Sequence, residues 1–71
     1  MSETRSDRFK RLATHRTNTV LDKLRLLGNL SNKSSYEYSE EDLRKIFSAI
    51  DLQLRTVRMK FTGATKSEFK L

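Results

Sequence analysis

At 71 residues the chain makes at most one small domain, with little room for an apolar core. It has no cysteine, no proline and a single histidine, His15, which excludes a disulfide framework and a thiolate metal site. Fifteen Lys/Arg against nine Asp/Glu leave a net charge of +6, and no apolar run exceeds two residues, so a soluble, cytoplasmic, all-α protein without a signal or membrane-spanning segment is expected.

Residues 1–6 are read as a flexible N-terminus, followed by a helix over about 7–28. Phe9, Leu12, Ala13, Val20, Leu24 and Leu27 recur at spacings that collect on one face at 3.6 residues per turn. Ser6 or Asp7 is the expected N-cap. Gly28 and Asn29 tolerate the left-handed conformation that closes a helix, with Leu30 folding back onto Leu24. Residues 29–38 are read as a loop, polar and without period from Ser31 to Ser35.

The run Tyr36-Glu37-Tyr38-Ser39-Glu40-Glu41-Asp42-Leu43 is the strongest local signal. Ser39 and Asp42 have the spacing of a reciprocal capping box, flanked by Tyr38 and Leu43 at the positions of a hydrophobic staple. The predicted second helix, about 39–62, carries Leu43, Ile46, Phe47, Ile50, Leu54, Val57 and Phe61 on one face. Gly63 is the expected left-handed stop, and residues 64–71 are read as a flexible basic tail.

The two apolar faces match in reverse order: Phe9 falls beside Phe61, Ala13 beside Val57, Val20 beside Ile50 and Leu27 beside Leu43. An antiparallel two-helix hairpin is therefore expected. A bare hairpin covers each apolar side chain only partly, so the expected remedy is dimerisation into a four-helix bundle. Leu12, Leu21, Leu26, Leu52 and Met59 flank or oppose the main faces and are the candidate protein-interface residues; scattered surface apolar residues would read the same way. Arg16 falls inside the apolar face, where it either extends to the edge or pairs with Asp51.

Charge is segregated along the chain. Residues 1–27 carry net +4, residues 28–42 net −3 and residues 43–71 net +5. Acids at the start of the second helix suit its dipole, whereas Arg5, Arg8, Lys10 and Arg11 at the start of the first oppose it. In the hairpin this basic turn meets Arg55, Arg58, Lys60, Lys66 and Lys70. The expected partner is anionic, DNA or RNA, held by Arg5, Arg8, Lys10, Arg11, His15, Arg55, Arg58 and Lys60. The outward stripe Arg8, Arg11, His15, Asn18, Arg25 has helical spacing suited to phosphates or base edges, although a solvated face would look alike. The alternative is a protein-interaction module whose basic end docks on an acidic surface.

Catalysis is not expected. The chain has no Gly-rich phosphate loop and no ligand spacing for a metal, and capping already accounts for Glu40, Glu41 and Asp42, so neither cofactor nor metal is expected. Tyr36 and Tyr38 read as loop packing rather than base stacking, since they sit at the acidic end. The runs Arg8–Ala13, Leu27–Asn32 and Tyr36–Leu43 resemble small helical proteins of phages, plasmids and other mobile elements. The resemblance covers roughly residues 8–61, brings no activity with it, and implies a regulatory or accessory role.

Overall fold

The computed structural model describes residues 2–63; the expected C-terminal tail, with Lys66 and Lys70, lies outside them. The described chain is all-α. Helix α1 spans Arg5–Gly28, a short 3-10 turn follows at Asn29–Ser31, and helix α2 spans Glu40–Thr62. The chain divides into two units, residues 1–37 around α1 and residues 38–71 around α2.

Helix α1 begins two residues earlier than its periodicity predicts, and its cap is Thr4 rather than Ser6 or Asp7. The Thr4 hydroxyl accepts a hydrogen bond from the Asp7 backbone N–H at 3.0 Å, while the Asp7 carboxylate accepts from the Thr4 N–H at 3.4 Å. The choice has a physical reason. A reciprocal box needs an acid three residues after the cap, and only Thr4 has one; Ser6 would face Phe9, and Asp7 would face Lys10. The part of the expected flexible N-terminus from Arg5 onward is thus helical.

The end of α1 also departs from expectation. Gly28 is right-handed (φ −62°). The helix does not close through a left-handed glycine; it tightens into the 3-10 turn, with the Asn29 N–H directed at the carbonyls of Arg25, Leu26 and Leu27. A tighter last turn is another way to satisfy the orphan carbonyls of a helix end. Asn32 then turns the chain: its side-chain oxygen accepts from the Ser34 N–H (3.0 Å) and hydroxyl (2.9 Å), and its carbonyl accepts from the N–H groups of Ser35 and Tyr36. The polar stretch is therefore a closed Asx-type turn.

Helix α2 follows its sequence signals at both ends. Ser39 Oγ accepts from the Asp42 N–H at 3.0 Å, and the Asp42 carboxylate accepts from the Ser39 N–H at 2.9 Å. Losing such a cap costs about 1 kcal/mol. Tyr38 and Leu43, at the staple positions, are both half-buried. Gly63 is left-handed (φ 73°), and its N–H donates to the Met59 carbonyl.

Within its own unit neither helix buries a residue. The apolar stripe of α2 includes Phe47, 52% exposed, and Phe61, 71% exposed; on α1, Phe9 is 56% and Val20 53% exposed. Ala13, Leu27, Leu43 and Ile50 are half-buried by the neighbouring turns of their own helices. Each helix is amphipathic and leaves its apolar stripe uncovered by its own unit.

Candidate nucleic-acid interface

The expected basic residues divide between the two units. On α1, Arg8, Arg11 and His15 lie at spacings of three and four and so share one face, opposite Ala13 and Val20. Asn18 and Arg25 continue that face. Arg5 and Lys10 do not join it. Each stands roughly a quarter-turn or more around the helix from Arg8 and Arg11, at the two flanks of the apolar stripe. The face also holds two acids that its spacing pattern passes over: Asp7, engaged in the cap, and Asp22, whose Oδ1 accepts from Arg25 Nη1 at 2.5 Å.

On α2, Arg55 and Arg58 are three residues apart and share one flank of the helix, whereas Lys60 stands on the other. Arg44, on the Arg55 side, is paired with Glu41 one turn earlier. Among the described residues no ion pair engages Arg5, Lys10, Arg55, Arg58 or Lys60. The His15 carbonyl accepts from the Thr19 hydroxyl at 3.0 Å, a bond internal to the helix. The expected protein-interface residues are mixed in exposure. Leu26 and Leu52 are 58% and 60% exposed, Leu21 is exposed, and Leu12 and Met59 are half-buried.

The residue that sequence reasoning missed is Glu3. Its carboxylate accepts two hydrogen bonds from one guanidinium, Arg11 Nε at 2.7 Å and Arg11 Nη2 at 3.0 Å, and lies 4.0 Å from Arg8 Nε. Glu3 precedes the cap, at N′, and Arg8 occupies N4. These are the two positions that hold Tyr38 and Leu43 in α2. The start of α1 therefore repeats the capping motif of α2 with an ion pair where the other has an apolar pair. A Thr-x-x-Asp signature at Thr4 was available in the sequence and would have put Glu3 at N′.

The Arg11 hydrogen bonds hold the Glu3 carboxyl below its ordinary value, and Glu3 in turn raises the Arg11 guanidinium. Because the folded pKa is depressed, the pair's contribution is present above the unfolded glutamate pKa and is lost as pH falls through the lower folded value. Solvent screens a pair this exposed, so the effect is local. A carboxyl-detected NMR titration is expected to give Glu3 a midpoint below the usual glutamate range, returning to it in Arg11→Gln. An identical midpoint in both proteins would show that Arg11 is not the cause.

Among the described residues no group of three His, Asp or Glu side chains is placed to hold a metal ion, and no helix is long and apolar enough to cross a membrane. What these elements define is an all-α chain of two capped amphipathic helices with an arginine-bearing outward face on the first. Comparison with known proteins found no matching family model, no similar curated protein and no similar solved structure.

Proposed function

We propose that this chain is a small, non-catalytic accessory or regulatory protein of the cytoplasm that binds nucleic acid. In this reading α1 and α2 pair as an antiparallel hairpin and two hairpins form a four-helix dimer. That packing brings Arg5, Arg8, Lys10, Arg11 and His15 to the same end as Arg55, Arg58 and Lys60. The need for packing is physical: helices of 24 and 23 residues with uncovered apolar stripes draw most of their stability from tertiary partners. Arg16 would then meet Asp51 across the seam and set the register. Tyr36 and Tyr38 would cover the loop end. The mobile-element resemblance agrees with an accessory role.

The observation that carries the reading is the placement of Arg8 and Arg11. Both lie in the first two turns of α1, where the dipole disfavours cations, and both point to the polar face. A polyanion repays that cost by releasing its condensed counterions. The exposure of Leu26 and Leu52 favours a second reading, a protein-interaction module using Leu12, Leu21, Leu26, Leu52 and Met59. Fluorescence anisotropy with duplex DNA, single-stranded DNA and RNA at two salt concentrations separates the two. Nucleic-acid binding is expected to weaken with salt on a slope corresponding to ~4–6 phosphate contacts. No binding to any probe at low salt would discard the first reading in favour of the second.

A further inference from the structure

We propose that Glu3 is an internal phosphate mimic that covers the arginine face of α1 until a polyanion displaces it; the inference rests on the nucleic-acid reading above. Arg11 donates from Nε and Nη2 to separate oxygens of the Glu3 carboxylate, at 2.7 and 3.0 Å. A guanidinium grips phosphate with the same two-point geometry. Arg8 Nε stands 4.0 Å from the carboxylate, so one acid serves both arginines of the outward face.

The chain positions this acid. The capping box fixes Thr4 in an extended conformation (φ −77°, ψ 168°), and Glu3 immediately before it reaches along the first two turns to a residue eight positions on. At the equivalent positions of α2 an apolar pair accompanies the same box, so a cap does not require charge there. Placing an acid at N′ and arginines at N4 and one turn beyond couples the cap to the basic face. Both arginines nevertheless keep more than half their side-chain surface exposed, 57% for Arg8 and 60% for Arg11. The cover is therefore reachable by an incoming phosphate. It is also weak, as solvent-exposed pairs are, and a displaceable cover has to be weak.

The test compares the full chain, Glu3→Gln and Glu3→Asp for binding to a duplex DNA probe at low salt. Aspartate keeps the charge but is one methylene shorter and loses the two-point grip. Glu3→Gln is expected to bind roughly two- to fivefold more tightly than the unaltered chain, and Glu3→Asp to fall between them. Equal affinity of Glu3→Gln and the unaltered chain would overturn the mimic and leave the nucleic-acid reading standing. Tighter binding by Glu3→Gln with Glu3→Asp unchanged would also overturn it, since net charge alone would then account for the gain. Absence of binding by all three would overturn both. A DNA-independent readout is the Arg11 Nε–H resonance, expected to shift in Glu3→Gln; an unmoved resonance rejects the clamp.

Discussion

Ile50→Asp is expected to abolish the cooperative thermal transition of the protein and most of its helical ellipticity at micromolar concentration. Ile50 lies at the centre of the α2 stripe, flanked along one face by Leu43, Ile46, Leu54 and Val57, and is half-buried by its own helix. In the proposed hairpin it meets Val20. An unpaired carboxylate in such a seam costs on the order of 3 kcal/mol or more. A chain of this size has a total stability of roughly 4–10 kcal/mol, so the substitution removes a large share of it. The melt is the decisive observable, because an isolated helix of more than 20 residues keeps some residual ellipticity. Asn18→Asp, on the polar face, is the control and should melt like the unaltered chain. An Ile50→Asp protein with an unchanged melt would refute both the hairpin register and the bundle.

Arg8→Glu combined with Arg11→Glu is expected to abolish binding to duplex DNA at a salt concentration where the unaltered chain binds, with helicity intact. Each reversal removes a candidate phosphate contact and adds repulsion, and the salt slope of any residual binding should fall by about two contacts. Helicity survives because glutamates in the first two turns suit the dipole better than the arginines they replace. The side chains also lie opposite the apolar stripe, so no packing is lost. Circular dichroism checks the fold, and anisotropy over a salt series checks the binding. Undiminished affinity would exclude the start of α1 from the interface.

These two substitutions divide the molecule as the sequence does, into an apolar stripe and a basic face. Both stripes were legible because a period of 3.6 residues is a property of spacing alone, and they coincide with α1 and α2. The start of α2 was legible for a similar reason: Ser39, Asp42, Tyr38 and Leu43 satisfy one another within six residues. At Gly63 a residue without a side chain meets the end of the apolar pattern, and a left-handed stop follows.

The misread ends of α1 are as informative. Periodicity places a helix end only to within a turn, and the first apolar residue of the stripe, Phe9, lies well inside α1. The decisive local feature was the Thr4–Asp7 box, which satisfies two backbone donors at once. Gly28 carried a stop signal by composition, yet the 3-10 turn and the Asn32 side chain supply the needed acceptors and donors without a left-handed residue. Where two local solutions satisfy the same backbone groups, composition does not choose between them.

The sequence alone determined the helical class, both apolar stripes, the α2 caps and the crowding of cations in the early turns of α1. Each follows from residue type and spacing over a turn or two. Only the three-dimensional structure decided what Glu3 does. Its pairing with Arg11 spans eight residues and depends on the extended backbone at Thr4, which turns the chain ahead of the helix back along the arginine face. Spacing rules describe neighbours on one helix, whereas Glu3 lies outside the helix, and its partner is set by the path of the chain into α1.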